Sequence, residues 1–205
     1  MSNDEPTTRV KRIRRSPEAA RTLLIDGAER LLVRDGIGAV QMRAVAREAG
    51  MTDAGVAHHF RNRDGLLTAL LDHGAEKVRD ALARLAEAWL AEPPDMQRLI
   101  SMLSSLYASG YSELALELQR SGWRDRGTPL LGPVVDWMIE HNQNPNSSKD
   151  DIRSAIASLH MVLALDTLFG DAFRRSAGAL KRDAREAQHS WWADQLNALL
   201  WTDHG

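Results

Sequence analysis

Helical periodicity runs through almost the whole chain. Apolar residues recur three or four positions apart, and no stretch alternates apolar and polar residues over several positions. No Asn-Gly or Asp-Gly turn joins two β-branched runs, so the sequence does not predict β-hairpins. The helical segments are short near the start of the chain and longer afterwards. This pattern predicts an all-α protein of about nine helices.

Capping residues and glycines predict where the first helices begin and end. Ser16-Pro17 favours a helix start, and Asp35-Gly36 favours the end of the same helix. Gly50 can adopt the left-handed conformation that stops a helix. Thr52 and Asn62 are N-cap residues for the two helices that follow. The remaining predicted helices span about 41–49, 95–108, 111–121, 129–142, 150–176 and 183–201.

Charge is unevenly distributed along the chain. Residues 1–65 carry 12 Lys/Arg and 9 Asp/Glu, whereas residues 66–205 carry 14 Lys/Arg and 19 Asp/Glu. The positive charge is densest in residues 1–15, which we interpret as a flexible basic arm that contacts phosphate. A solvated tail without a partner is the alternative interpretation. The basic residues of this arm are Arg9, Lys11, Arg12, Arg14 and Arg15.

Composition narrows the class of protein. A hydrophobic fraction of 43% with 26% charged residues is typical of a soluble globular chain. The absence of cysteine excludes disulfide scaffolds, thiolate zinc sites and cysteine nucleophiles. The longest uncharged run, Leu99–Ser112, has 14 residues and is too short to span a bilayer. We therefore predict a cytoplasmic protein without membrane contact.

Two adjacent histidines raise the question of catalysis or metal binding. On a helix, the side chains of His58 and His59 point about 100° apart, so they cannot share one metal ion. The glycines of Gly36-Ile37-Gly38 are followed by Gln41 where a dinucleotide loop needs a third glycine. Nucleophile-elbow, phosphate-loop and HExxH motifs are absent as well. The sequence predicts no enzyme activity, no metal and no cofactor.

Residues 41–60 have the spacing of a helix-turn-helix motif. Val45, Ala46 and Ala49 form the inner side of its first helix, and Val56 and Phe60 form the inner side of its second. Small residues remain for the outer face, where they let a helix approach base edges in a major groove. An ordinary helical hairpin is the alternative. The residues left for the outer face are Thr52, Asp53, Ala54, Gly55, Ala57 and His58.

The segment Arg21–Leu67 resembles the N-terminal domain of the tetracycline-repressor (TetR) family of bacterial transcriptional regulators. Eighteen positions fall in register without a gap, over about a quarter of the chain. The positions that carry the resemblance are Leu23-Leu24, Gly27-Ala28, Leu31-Leu32, Val45-Ala46, Ala49-Gly50-Met51-Thr52, His59-Phe60, Arg63-Asp64 and Leu66-Leu67. The resemblance implies a helix-turn-helix DNA-binding domain over 16–65. It also implies a helical domain over 66–205 that binds a small-molecule effector and forms the homodimer.

The resemblance also implies which residues contact double-stranded operator DNA. Two positions depart from the family pattern: Ala57 replaces a usual tyrosine, and Gln41 replaces a usual Thr or Ser cap. Asp53 is ambiguous, because it could accept from a cytosine amino group or only favour the helix N-terminus. The predicted DNA-binding residues are Lys11, Arg12, Arg14, Arg15, Gln41, Arg43, Thr52, Asp53, Ala54, Ala57, His58, His59 and Arg63.

The second half of the chain carries no recognisable motif. It has scattered aromatic and polar residues that could line an effector pocket, although each of them is individually more typical of a packed core. It also has two apolar stripes at helical spacing, which fit core packing within one subunit as well as a dimer interface. The candidate effector-binding residues are Trp89, Tyr107, Tyr111, Trp123, Trp137, His160 and Asp166. The candidate dimerisation residues are Ile152, Ile156, Leu159, Leu163, Trp192, Leu196 and Leu199.

These observations predict a ligand-responsive transcriptional regulator, a repressor released from a palindromic operator by a small molecule. Two recognition helices of a homodimer would enter successive major grooves. The alternative is a small-molecule-binding or catalytic all-α protein that keeps the fold without regulating transcription.

Overall fold

The computed structural model describes residues 16–124 and 129–201, and the predicted all-α fold is confirmed. Three short irregular turns accompany the α-helices: a 3₁₀ turn at Ile37–Ala39, a kinked turn at Tyr107–Tyr111 in which Ser109 and Gly110 are not helical, and a π-helical turn at Asp166–Gly170. In chain order the α-helices are α1 (Pro17–Asp35), α2 (Met42–Glu48), α3 (Asp53–Phe60), α4 (Arg63–Ala88), α5 (Met96–Leu106), α6 (Ser112–Arg120), α7 (Gly132–Glu140), α8 (Lys149–Leu165), α9 (Asp171–Ser176) and α10 (Ala184–Leu200).

The predicted helix starts and stops in the first part of the chain are confirmed. The side chains of Ser16, Thr52 and Asn62 each accept a hydrogen bond from the backbone N–H three residues later. Gly36 and Gly50 have φ of 78° and 63°, the left-handed region in which a side chain is disfavoured. Local capping chemistry therefore sets the spacing of the first four helices.

The N-terminal core joins α1, α2 and α3 to the start of α4 and to α6. Its fully buried members include Leu24 of α1 and Val45 of α2, which pack with Leu66 of α4. Leu114 and Leu118 of α6 belong to the same cluster. Because α4 begins at Arg63, the predicted domain boundary at 65/66 falls within the first turn of a helix that both parts share.

The C-terminal core is formed by α4, α5, α7, α8 and α10. Ile152, Ile156, Leu159 and Leu163 of α8 are at most 4% exposed and line its interior with Leu196 of α10. Trp192 and Leu199 are partly buried against the same cluster. Packing within one subunit, the alternative that the sequence leaves open, therefore accounts for the burial of the two candidate dimerisation stripes.

Helices α8 and α9 form one continuous rod, Lys149–Ser176, that is apolar on both sides. By length and composition this rod could cross a membrane, with a mean hydropathy of 1.4. Only 28% of the 18-residue apolar stretch within this rod is buried in the subunit. The outer side of the rod therefore exposes apolar residues to solvent. The exposed apolar surface of α8–α10 consists of Met161, Leu165, Phe169, Phe173, Leu180 and Trp191.

Candidate functional site

The helix-turn-helix geometry comes from a short turn between α2 and α3. Gly50 takes the left-handed conformation, and the N–H of Met51 donates to the carbonyl of Ala46 at 2.8 Å. Val45 and Val56 are fully buried on the two sides of the turn. The apolar contact between these helices fixes α3 with its opposite face toward solvent.

The outer face of α3 consists of small residues. Thr52, Asp53, Ala54, Ala57 and His58 are exposed, and His59 is half-buried. The Oγ1 of Thr52 accepts from the N–H of Gly55 at 3.2 Å, which fixes the first turn of α3. The predicted outer-face residues are thus on one accessible surface of suitable shape for a major groove.

Two predicted DNA-binding residues pair with each other in the free protein. The guanidinium of Arg43 lies 3.1 Å from the carboxylate of Asp53, and their side chains are 85% and 58% exposed. Both groups are well solvated, so the pair contributes little to stability and can open when phosphate competes for Arg43. Gln41 makes no capping bond to α2; its side chain donates to the carbonyl of Gly38 instead.

Arg63 is engaged inside the protein. Its Nε donates to the carbonyl of Val40 at 3.0 Å and its Nη2 to the carbonyl of Ile37 at 3.2 Å. Its Nη1 forms an ion pair with Glu117 of α6 at 2.8 Å. The side chain is 26% exposed, and its fork connects the segment before α2 to the C-terminal part of the chain. In the free protein Arg63 therefore links the segment before α2 to α6, and its contact with DNA stays a prediction.

Two basic residues that the sequence interpretation missed lie exposed beside the outer face. Arg47 is on the last turn of α2, and Arg61 caps the C-terminus of α3 with φ of 65°. Their positions within the helix-turn-helix, next to Arg43 and His58, were the available signal. The predicted arm residues Lys11, Arg12, Arg14 and Arg15 lie outside the described residues.

A cavity of about 1010 Å³ lies between α4, α6, α7 and α8, and we call it the central cavity. Four of the predicted effector-binding residues converge on it. They are Tyr107, Tyr111, Trp123 and His160.

The other three predicted effector-binding residues lie elsewhere. Trp89 and Trp137 are buried against each other in the C-terminal core, with ring centroids 4.9 Å apart. Asp166 is buried beside Arg174 and Arg185 at an outer groove of about 680 Å³ between α8 and α10.

The polar groups of Tyr107 and His160 meet on the wall of the central cavity. The hydroxyl of Tyr107 and the Nε2 of His160 are hydrogen-bonded. Burial raises the pKa of Tyr107 to about 12 and lowers the pKa of His160 below its usual value. Both groups are therefore neutral near pH 7, so they provide a hydrogen-bonding site without a net charge.

A polar cluster joins α1 and α4 next to Tyr111. The Tyr111 hydroxyl donates to Glu29 Oε1 at 3.1 Å, and Lys77 donates to both oxygens of Glu29 at 2.7 and 2.9 Å. Although burial raises it, the pKa of Glu29 is held below its usual value by Lys77 and Tyr111. Asp26, Glu29 and His73 also present ligand atoms within 4.8 Å of one another. Of these three residues, Glu29 is the one that the ammonium of Lys77 contacts.

Comparisons with known proteins agree with the geometry. The model of the family described as bacterial regulatory proteins, tetR family, matches residues 24–70. The chain is 32% identical over 156 residues to the probable HTH-type transcriptional regulator ArpR of Pseudomonas putida, covering 76% of this chain and 68% of ArpR. It is 26% identical over 160 residues to an HTH-type transcriptional repressor of Mycobacterium tuberculosis, covering 73% of this chain and 80% of that repressor.

A solved structure of similar fold is that of the multidrug binding protein EbrR complexed with ethidium. Its TM-score is 0.55 at 22% identity, and the match covers 89% of this chain and 99% of EbrR.

Proposed function

The chain belongs to the TetR family of bacterial regulatory proteins, and we propose that it is a dimeric repressor that releases a palindromic operator when a small molecule fills the central cavity. The observation that carries the proposal is the exposed small-residue face of α3, held by a buried seam of Val45 and Val56. A DNA contact is the function that such a face serves best. Arg43, Arg47 and Arg61 surround it with charge for phosphate contacts.

Replacing Ala57 by glutamate is expected to weaken operator binding at least tenfold. The new carboxylate would project from the outer face of α3 toward base edges and phosphates, where both its volume and its charge oppose contact. The helix itself should be preserved, because glutamate is a good helix former at an exposed position. Fluorescence anisotropy on a duplex selected from a random-sequence library measures the change.

The matched control for this prediction is Ala83→Glu, the same change at an exposed position of α4. It alters net charge equally but lies outside the helix-turn-helix, so operator affinity should stay within twofold. Equal losses in the two variants would indicate general charge repulsion and would contradict a recognition role for α3. Failure of the unmodified chain to select any duplex would overturn the proposed function itself.

The kinked turn Tyr107–Tyr111 supports a route from the central cavity to the DNA-binding unit. Tyr107 lines the central cavity, and Tyr111 both lines it and hydrogen-bonds to Glu29 of α1. Gly110 lies so close to Leu32 of α1 that a Cβ would come within 2.9 Å. A ligand that displaces this turn therefore shifts α1. We propose that the effector prefers the displaced arrangement, since only differential affinity for two states can change operator binding.

A second copy of the chain is the partner that we propose for the exposed apolar surface of α8–α10. Exposed apolar surfaces on soluble proteins mark interaction sites, and four residues of this surface line the outer groove: Met161, Leu165, Phe173 and Leu180. A two-fold operator is matched by a two-fold protein, in which the same surface of each protomer meets its partner. We therefore propose that the dimer surface is the exposed apolar surface of α8–α10, which faces away from the buried stripe.

Phe173→Glu is expected to weaken dimerisation at least tenfold. Phe173 is 62% exposed in the subunit, so the change should preserve the fold while placing an unpaired carboxylate in the proposed interface. Leu90→Glu is the matched control, because Leu90 is a similarly exposed apolar residue, at 69%, that lies outside α8–α10. Sedimentation equilibrium measures both variants. Similar dimer dissociation constants for the two variants would indicate that the interface lies elsewhere.

The proposal includes a cytoplasmic location, no membrane attachment and no catalysis or cofactor. Contact with operator DNA requires the compartment that holds the chromosome. In the proposed dimer the second protomer covers the apolar outer side of α8–α9, so this surface does not require contact with lipid. The neutral Tyr107–His160 pair supports ligand recognition by hydrogen bonding.

A further inference from the structure

Arg79 is a cation in the wall of the central cavity without a partner among the described residues. It lies on α4 and is half-buried. Its Nε is buried and has no hydrogen-bond acceptor in the part of the chain that the structure describes. The ion pairs among the described residues do not include it either, whereas Arg63 and Arg174 have several partners each. An unpartnered buried N–H costs about 1–3 kcal/mol, so an acceptor is expected from a ligand.

The other charges of the cavity face water. Asp72, Glu76 and Asp136 line it but are exposed, and so is Arg153, which pairs with Asp150 at 3.2 Å. Charges on exposed groups are weakened by solvent and salt, whereas a group beside a buried atom interacts more strongly. Arg79 is therefore the charge that acts on a molecule inside the cavity.

The remaining surface of the cavity is suited to an apolar, preferably aromatic, body. Tyr107, Tyr111 and Trp123 provide rings, and Leu71, Leu130 and Val135 provide aliphatic contacts. A volume of about 1010 Å³ is at the upper end of the range for small-molecule sites. The lining thus combines one unsatisfied cation with extensive apolar surface.

We propose that the effector is an aromatic organic acid whose carboxylate accepts hydrogen bonds from Arg79. This inference rests on the proposed function, because it concerns the ligand of the same cavity. A planar carboxylate matches the fork of a guanidinium and satisfies its Nε, which a neutral or cationic ligand does less well or not at all. The rings of Tyr107 and Trp123 enclose the aromatic body, and the Tyr107–His160 pair lies on the same wall.

Three probes that share a naphthalene ring and are similar in size test the charge preference: naphthalene-2-carboxylate, its neutral carboxamide and naphthalen-2-ylmethylammonium. Isothermal titration calorimetry with the full chain should show the carboxylate binding at least tenfold more tightly than the other two. In Arg79→Gln the preference for the carboxylate over the carboxamide should fall below threefold. Arg84→Gln is the matched control, with the same change at an exposed residue of α4 outside the cavity; it should keep the preference.

Several outcomes would overturn this inference. Tighter binding of the ammonium probe would assign recognition to the exposed carboxylates Asp72, Glu76 and Asp136. Equal binding of the carboxylate and carboxamide, or no binding of the carboxylate at millimolar concentration, would remove the role of Arg79. An unchanged preference in Arg79→Gln would do the same, and thermal unfolding of each variant verifies its fold. Operator binding by the same preparations is measured separately, so that the ligand inference can fail while the proposed function stands.

Discussion

Replacing Arg174 by methionine is expected to lower the free energy of unfolding by about 3–5 kcal/mol, because the buried carboxylate of Asp166 loses its buried partner. The side chains of Arg174 and Asp166 are 8% and 6% exposed and form an ion pair. Arg174 also donates to Gln188 at 3.1 Å and to Asp171 at 2.7 Å. Its loss leaves Asp166 with Arg185 alone, at 2.7 Å and 40% exposed.

The neighbouring residue provides a close control for this prediction. Arg175 is exposed on the same helix, so Arg175→Met removes an equal charge without unpairing a buried carboxylate and should cost less than about 0.5 kcal/mol. Chemical denaturation at a fixed protomer concentration measures both, since dimerisation adds to apparent stability. Equal costs would show that the pair contributes nothing. Adding Asp166→Leu to Arg174→Met should recover part of the loss, because the buried carboxylate that lost Arg174 is then removed as well.

Gly170 shows how tightly this network is fitted into the π-helical turn. A Cβ at Gly170 would overlap the carboxylate of Asp166 and come within 2.8 Å of Arg174 Nη2. The π-helical turn places Gly170 directly against the Asp166–Arg174 ion pair. The sequence places Asp166 within an otherwise apolar stretch, where an unpaired polar group would be costly. It did not identify Arg174 as the partner, since nothing local distinguishes Arg174 from Arg175.

Local signals predicted the elements well because the physical cause is itself local. Ser16, Thr52 and Asn62 cap helices through bonds to residues three positions away. Gly36 and Gly50 adopt the conformations that their lack of a Cβ allows. The spacing of apolar residues also predicted the inner face of the helix-turn-helix. Val45 and Val56 are buried there, whereas the residues of the exposed face are polar or small.

The sides of α8 could not be assigned from the sequence, because both are apolar. Ile156 and Leu163 belong to the buried stripe, while Met161 and Leu165 belong to the exposed surface, and a periodicity argument treats the two sets alike. What separates them is packing against α5 and α10, which joins residues far apart in the chain. The ion pair between Arg63 and Glu117 could not be predicted from the sequence for the same reason, because the two residues are 54 positions apart.

Arg63→Lys is expected to lower the free energy of unfolding by about 2 kcal/mol. Lysine keeps the positive charge, but one ammonium on a flexible stem cannot reach Ile37, Val40 and Glu117 in the three directions that the guanidinium fork does. If Arg63 acted mainly as a phosphate contact, lysine would serve nearly as well and stability would not change. Chemical denaturation therefore separates the two roles with one conservative substitution.

Arg61→Lys is the control, because Arg61 is exposed two positions earlier and keeps the same charge and backbone conformation. Its stability should stay within about 0.5 kcal/mol of the unmodified chain. The two changes should also differ when combined with Glu117→Gln: the effect should be less than additive with Arg63→Lys and additive with Arg61→Lys. Additivity in both would mean that Arg63 and Glu117 act independently. Non-additivity with Arg63 alone would establish a polar connection from the segment before α2 to α6, the helix that begins where the cavity-lining turn Tyr107–Tyr111 ends.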